Sequence, residues 1–378
     1  MTLARITVPG YDITIGAGQL AHVGAVAQSV APAHRYAIVT DSIVGPLYVD
    51  AVAALFPEGR VTVITIPAGE AYKNRDSWAS VTDQLLGNGF GRDSTLIALG
   101  GGVVGDLTGF VAATFMRGVP FVQVPTTLLA MIDASIGGKT GVDTPAGKNL
   151  VGAFHPPAAV VIDPQVLDTL ALSQIRSGLA EALKHGALGD AAYFSSVQEA
   201  TARLLDPEPA QRDRAFTFRL IERSVQIKAG IVSRDVQERG VRKVLNYGHT
   251  IGHAIELLSG FTMSHGDAVA VGMVLESRAA ERAGIAEHGV ADHVAAALTT
   301  LGLPTARPAG PTPDEILDVM RGDKKSRAGT IEYAVPVRVG DMAGADAGYA
   351  VAIADEIVRD VLAVTAPAAP AAPTAGAA

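Results

Sequence analysis

Between Tyr36 and Asp163 the chain repeats one pattern: a short apolar, β-rich run, then a longer amphipathic or glycine-punctuated segment. The runs are YAIVT from 36, VTVITI from 61, STLIALG from 94, FVQVP from 121 and AVVID from 159. Such alternation predicts a parallel sheet covered by helices. Ahead of these runs, ARITV and YDITIG predict a hairpin at the sheet edge. After about Leu172 the strand signals nearly vanish, and stretches rich in Ala, Leu, Glu and Arg carry apolar residues at helical spacing. Examples are SQIRSGLAEALKHGAL, QRDRAFTFRLIERSVQIKAGIVS and DAVAVGMVLESRAAERAG. One late run, TIEYAVPVRVG from 330, predicts a short strand or hairpin. The expected organisation is an α/β domain over 1–172 and a mostly α-helical domain over 173–364. The remainder, 365–378, is an Ala/Pro-rich low-complexity tail that cannot bury a core and is expected to be disordered. No internal repeat is visible.

Length and composition agree with two domains. A chain of 378 residues exceeds one ordinary core, and a hydrophobic fraction of 48% with 41 glycines fits a tightly turned globular protein. No apolar run approaches the roughly 18 residues needed to cross a bilayer. Even Phe110 to Ile136 is interrupted by Arg117, Gln123 and Asp133, so no membrane partner is expected. The opening MTLARITVPG has no apolar signal core, which argues against secretion. A net charge of −8 argues against a nucleic-acid partner, whose phosphates need clustered Lys and Arg. The absence of cysteine excludes disulfides and thiolate metal sites and is compatible with a cytoplasmic location.

The segment ALGGGVVGDLTGF, Ala98 to Phe110, follows a strand and opens a helix expected near Gly105. Gly100, Gly101 and Gly102 would let the backbone approach an anion at the positive end of that helix, and a dinucleotide pyrophosphate is the natural guest. The same glycines would also serve a tight turn with no ligand. Asp41 at the end of an early strand, Glu70 and Lys73 in GEAYK, and Thr126 and Thr127 in PTT favour the nucleotide, because an open α/β sheet binds at its carboxyl ends.

Three of the nine histidines fall in LNYGHTIGHAIELLSGFTMSHG. His249 and His253 are four apart and share a helical face, and His265, past Gly260, can return from a neighbouring element. In SGLAEALKHG, Glu181 and Lys184 are three apart on another helix. A carboxylate with two imidazoles is a common divalent-metal set that leaves positions for substrate oxygens. The pattern does not choose which two of the three histidines take part. Cations are set among glycines and apolar residues: Arg117 in FMRG, Lys139, Lys148 and Asn149 on a glycine-rich loop expected over GGKTGVDTPAGKNLVGAFHPP, Lys228 in QIKAG, Arg242 and Asn246 in VRKVLNYG, and Lys324 and Lys325 in GDKKSRAG. Converging on one pocket, they would suit a small substrate bearing phosphate and carboxylate.

In GGGVVGDLTGFVAATFMRG, VPTTLLAMIDASIGGKTGVDTPAGKNLVGAF, SGLAEALKHG and LNYGHTIGHAIE followed by HG, the chain resembles the 3-dehydroquinate synthases of the sugar phosphate cyclase group, from about Tyr36 to Gly340. The resemblance implies a homodimer with an NAD-binding α/β domain built on a parallel, Rossmann-like sheet and a helical domain holding zinc or cobalt. It implies Glu181, His249 and His265 as metal ligands, with His253 near the substrate. NAD would meet Asp41, Glu70, Lys73, Gly101, Gly102, Asp106, Thr126, Thr127, Lys148 and Thr169. Substrate would meet Asp133, Lys139, Asn149, Lys184, Lys228, Arg242, Asn246, Lys324 and Lys325, with Arg117 reaching the neighbouring subunit's site and Glu238 in an acid/base or orienting role. The implied reaction turns 3-deoxy-D-arabino-heptulosonate 7-phosphate into 3-dehydroquinate and phosphate, a shikimate-pathway step, with NAD regenerated. Two positions depart from the family pattern: Gln174 stands where a Glu is common, and His185 gives KHG in place of KYG and is expected to be structural. Rival readings are the 2-deoxy-scyllo-inosose or valiolone-forming cyclases, a metal-dependent polyol dehydrogenase, and a non-catalytic NAD-binding scaffold.

Overall fold

A computed structural model of the chain describes residues 2–145, 147–260, 262–322, 326–327 and 330–364. The tail from 365, Lys324 and Lys325 lie outside the described residues. The strands are β1 (Leu3–Val8), β2 (Tyr11–Gly16), β3 (Arg35–Asp41), β4 (Val61–Ile66), β5 (Ser94–Gly100), β6 (Phe121–Pro125), β7 (Lys139–Thr144), β8 (Gly147–Phe154), β9 (Ala159–Ile162), β10 (Ser326–Arg327), β11 (Thr330–Tyr333), β12 (Pro336–Arg338), β13 (Asp341–Met342) and β14 (Val351–Ala352). The α-helices are α1 (Val23–Val30), α2 (Gly45–Ala53), α3 (Arg75–Gly87), α4 (Gly102–Thr114), α5 (Leu172–Gly189), α6 (Ala191–Val197), α7 (Ala200–Arg203), α8 (Arg214–Arg234), α9 (His249–Leu258), α10 (His265–Arg282), α11 (Val290–Thr300), α12 (Pro313–Gly322) and α13 (Asp355–Val364). The described residues form two units, one within 1–185 and 199–242, the other within 186–198 and 243–378.

The first unit holds a seven-stranded sheet in the order β1-β2-β9-β6-β5-β3-β4. Only the β1–β2 pair is antiparallel, so the expected edge hairpin and parallel sheet are both present. Alternate residues of each strand feed opposite faces. Tyr36, Ile38, Ile97, Leu99, Val122 and Val124 pack with Val23 and Ala27 of α1 and Val52 of α2. Ala37, Val39, Leu96 and Ala98 pack on the other face with Val81 and Leu85 of α3 and Val104, Leu107 and Val111 of α4. Covered on both sides, β5 is buried along its whole length, which explains its unbroken apolar run.

Two details correct the sequence reading. The helix after β5 begins at Gly102 rather than near Gly105. The segment GGKTGVDTPAGKNLVGAF, expected as a glycine-rich loop, contains the antiparallel pair β7–β8. Its glycines and polar residues carry little strand propensity, so packing of β7 beside α4 decides the conformation.

The second unit is mostly helical. Ile251, Ala254 and Ile255 of α9, Val271 and Leu275 of α10, Ile316, Leu317 and Met320 of α12, and Val358, Val361 and Leu362 of α13 share one core. TIEYAVPVRVG forms β11 and β12, which pair with separate partners, β10 and β14 for the first and β13 for the second. Helices α9 and α10 approach so closely that a Cβ at Gly272 would lie 2.0 Å from the carbonyl oxygen of Gly248. Among the described residues no helix is long and apolar enough to cross a membrane.

Candidate active site

The strand order reverses between β3 and β5, so the loops beginning at Asp41 and Gly100 flank the switch point where an open α/β sheet takes its ligand. A Cβ at Gly100 would stand 2.6 Å from Val104 Cβ, and one at Gly101 3.0 Å from Thr127 Cγ2. The turn therefore keeps a bare backbone, and the first N–H groups of α4 have no intrahelical acceptor, which suits an anion. The N–H of Thr126 donates to Gly100 O at 2.9 Å, tying the loop after β6 to this turn. Thr127 Oγ1 accepts from Ala130 N at 3.1 Å. Asp41 Oδ1 accepts from the N–H groups of Ile43 and Val44 at 2.8 and 2.9 Å, so that oxygen caps its own loop. The Thr169 hydroxyl lies 2.6 Å from Tyr48 OH.

Beside this turn, five charged residues form one group. Lys73 Nζ lies 2.9 Å from Glu70, 3.3 Å from Asp106 and 3.7 Å from Asp143, and Lys148 Nζ lies 2.7 Å from Glu70. Burial opposes the charge on Lys73, but its three carboxylates outweigh that and raise its pKa above that of an ordinary lysine. Burial likewise pushes Glu70 up, yet Lys73 and Lys148 hold it well below the usual carboxylate range. Asp106 is pushed up to about 6 by burial, against the pull of Lys73. The group also fastens the hairpin: Asp143 N–H donates to Lys73 O at 2.7 Å, and Asn149 N–H donates to Asp143 Oδ1 at 2.8 Å.

A second polar cluster in the first unit centres on Asp133, in a π-helical turn over Ala130–Ala134. Lys228 of α8 places Nζ 2.7 Å from Asp133 Oδ1 and 2.8 Å from its main-chain oxygen. His185 of α5 places Nε2 3.2 Å from the same Oδ1 and Nδ1 2.9 Å from Ser224 Oγ of α8. Burial would raise the Asp133 pKa, but Lys228 and Lys184 override it and hold the carboxyl well below its ordinary value. Burial lowers the pKa of His185. Lys184 pairs with Glu181 on α5, and both are buried. Lys139 pairs with Glu238. Arg242, 1% exposed, donates to Gly137 O at 2.9 Å and to Val236 O at 2.6 Å, and lies 5.9 Å from the Phe154 ring centroid. Tyr11 OH accepts from Gly137 N–H at 2.9 Å.

In the second unit, His249 begins α9, His253 follows one turn later and His265 begins α10. Their ring centroids are 5.0 Å (His249–His253), 5.4 Å (His249–His265) and 5.9 Å (His253–His265) apart. His249 Nδ1 lies 3.0 Å from Tyr247 O, and His265 Nδ1 lies 3.3 Å from Glu256 Oε2. A carbonyl or carboxylate on Nδ1 fixes the tautomer that presents Nε2 to a metal. His253, Glu256 and His265 could themselves hold an ion, their ligand atoms lying within 4.8 Å of one another, as do those of Asp133, Glu181 and His185 in the first unit. In the first set Glu256 faces His265, and in the second each nitrogen of His185 has a partner. Asn246 closes the 3₁₀ turn Val241–Asn246 ahead of this helix pair.

Residues 63–177 match the model for the 3-dehydroquinate synthase N-terminal region, and residues 178–326 the model for its C-terminal region. The chain is 44% identical to the 3-dehydroquinate synthase of Symbiobacterium thermophilum, over 88% of this chain and 92% of that one. It belongs to the 3-dehydroquinate synthase family. Against the enzyme of Xylella fastidiosa the identity is 45%, over 86% of this chain and 89% of that one. Among solved structures, a 2-deoxy-scyllo-inosose synthase complexed with carbaglucose-6-phosphate, NAD+ and Co2+ superposes with a TM-score of 0.83 at 25% identity, over 96% of this chain and 99% of that one. The 2-epi-5-epi-valiolone synthase of Streptomyces hygroscopicus, with NAD+ and Zn2+ bound, gives 0.81 at 29% identity, over 97% and 98%.

Membership makes this an enzyme and sharpens which residues escaped the sequence reading. Asp143, Glu256, Glu276 and Tyr11 are absent from that reading, yet each holds a site segment in place. Glu276 of α10 is fully buried, and its two oxygens accept from Gly248 N and Ile251 N at 2.7 and 2.9 Å, so it caps the helix on which His249 stands. One signal was legible in principle: a glutamate inside the apolar run VGMVLES is too costly to bury without partners.

Proposed function

We propose that the chain converts 3-deoxy-D-arabino-heptulosonate 7-phosphate into 3-dehydroquinate and phosphate, with NAD and a divalent metal, zinc or cobalt. The observation that carries this reading is the buried charge around Asp133. Lys228 and Lys184 both act on its carboxyl, and Arg242 lies within electrostatic reach of it. Lys228 and Lys184 are balanced by Asp133 and Glu181, Arg242 serves main-chain carbonyls, and a substrate with one phosphate and one carboxylate suits a pocket where three buried cations gather.

The bare glycine turn fits the NAD pyrophosphate, and the Nδ1 partners of His249 and His265 fit a metal pair, which Glu181 would complete. When bound, NAD supplies a transient hydride acceptor and the metal polarises the substrate's hydroxyl. Asp41, Glu70, Lys73, Asp106, Thr126, Thr127, Lys148 and Thr169 would position the nucleotide. Asp133 would accept from a substrate hydroxyl, while Lys139, Asn149, Lys228, Arg242 and Asn246 hold the phosphate and carboxylate. Lys184 would stabilise the enolate that forms as a proton leaves the carbon next to the oxidised centre, and His253 would move a proton as phosphate departs. Glu238, paired with Lys139, would orient it. Arg117 would complete the site of a second copy in a cytoplasmic homodimer.

The test is phosphate release and dehydroquinate formation from the heptulosonate phosphate with catalytic NAD and zinc or cobalt, without accumulation of NADH. The likeness to cyclases of other sugar phosphates favours one alternative, and turnover of a neutral sugar phosphate without phosphate release from the carboxylated one would establish it. His249→Ala and His265→Ala are expected to lose bound metal by elemental analysis while His253→Ala retains it. Equal loss in all three would overturn the ligand set.

A further inference from the structure

Three residues from three elements form a continuous hydrogen-bonded chain beneath the polar cluster: Ser224 of α8, His185 of α5 and Asp133 of the π-helical turn. Ser224 and His185 are fully buried, so neither competes with water for its partner. The direction of the chain follows from the groups. An ionised Asp133 carries no proton and can only accept, so Nε2 of His185 must be the donor across the 3.2 Å contact. A neutral imidazole with its proton on Nε2 has a bare Nδ1, which accepts from Ser224 Oγ–H at 2.9 Å. Lys228 donates to the same Oδ1 at 2.7 Å and to the main-chain oxygen of the same residue. Two donors converging on Oδ1 fix the plane of the carboxylate and turn Oδ2 into the oxygen available for a ligand hydroxyl.

We propose that His185, oriented by Ser224, is a positioning residue that aims Oδ2 of Asp133 at a hydroxyl of the sugar phosphate substrate. This rests on the functional reading above. It assigns a role to the KHG departure that fold stability alone would not demand.

Two substitutions separate the two halves of the imidazole. In His185→Gln the amide nitrogen stands where Nε2 stood and can still donate to Asp133. In His185→Asn it stands where Nδ1 stood and reaches only toward Ser224. Steady-state kinetics should show KM for the heptulosonate phosphate raised about tenfold or more in His185→Asn, the equivalent of one charge-assisted hydrogen bond. kcat should change less, and His185→Gln should recover most of the loss at a matched thermal midpoint. Equal defects in the two variants, or none in either, would overturn the proposal. Should His185→Asn fail to fold, Ser224→Ala carries the test, with a KM increase of a few fold expected and an unchanged KM overturning it. Imidazole ¹⁵N spectra of the wild-type protein without substrate give an independent reading. His185 should carry its proton on Nε2, and a proton on Nδ1 overturns the relay whatever the substrate proves to be. Conversely, a wild type that shows the Nε2 tautomer but releases no phosphate leaves the relay standing and refutes the functional reading.

Discussion

Gly230 and Gly272 both lie inside long helices, α8 and α10, and the same substitution should have opposite effects at the two. Alanine in a helix interior is favoured over glycine by about 1 kcal/mol, a gain available to both sites. At Gly230 a Cβ meets nothing within 4 Å, so Gly230→Ala should keep the gain and stabilise by about 0.5–1 kcal/mol. At Gly272 the Cβ would stand 2.0 Å from Gly248 O and 2.9 Å from both Gly248 C and Gly252 N. These are backbone atoms that no rotamer change can move, so α9 must shift away from α10. Overpacking of this kind costs about 1–3 kcal/mol, more where backbone is struck, and the two variants should differ by about 2–4 kcal/mol. Gly248 directly precedes His249, so the shift should also weaken metal binding by a protein whose first unit is untouched. Denaturant unfolding followed by circular dichroism gives the stabilities, and metal titration of each folded variant gives the second readout. Gly272→Ala as stable as Gly230→Ala would show that the helices do not meet as described.

Two further outcomes follow from a buried and a partly buried carboxyl, Glu276 and Asp106. Glu276→Gln keeps the shape of the side chain but offers one acceptor oxygen where two N–H groups, of Gly248 and Ile251, are served. A loss of about 1–3 kcal/mol in unfolding free energy is expected, and a loss within error of zero would show that α9 needs no such cap. Asp106 titrates at about 6 in the folded chain against 3.8 for an ordinary aspartate, so between those values the folded state holds the proton more tightly. Stability from this group is complete below pH 3.8 and is lost as pH rises through 6. Relative to Asp106→Asn, the wild type should therefore lose up to about 3 kcal/mol between pH 4 and 7, and a pH-independent difference would refute the assignment.

The sheet was legible because its physics is local. A strand buried on both faces, such as β5, must be apolar throughout, and STLIALG says so without reference to any other residue. The β7–β8 hairpin was not legible, since the residues that make it a hairpin, a lysine at its start and glycines along both strands, read as a loop. Helical spacing drew His249 and His253 onto one face, and it was the return of the chain through Gly260 that brought His265 within 5.4 Å of His249. Sequence could name the cations but not their partners. Lys73 and Lys148 share Glu70, and Arg242 serves the carbonyls of Gly137 and Val236, contacts that depend on residues far apart in the chain.

Backbone strain ties these threads together. Among the described residues, the non-glycine positions with positive φ are Met116, Arg117, Asn149, Glu238 and Tyr349. Side chains in that region cost about 1–2 kcal/mol each, and glycine at the same positions would avoid the cost. This chain uses glycine nearby, with Gly118 directly after Arg117 and Gly147 two residues before Asn149, both at positive φ. At 117 and 238, as at Met116 and Tyr349, the backbone adopts a region that most side chains disfavour, whereas asparagine at 149 enters it readily. Glu238 shows a return for that cost, the ion pair with Lys139. For Arg117 the strain is a physical reason, independent of any relative, to test whether its guanidinium meets a ligand; asparagine enters this region readily, so Asn149 gives a weaker one.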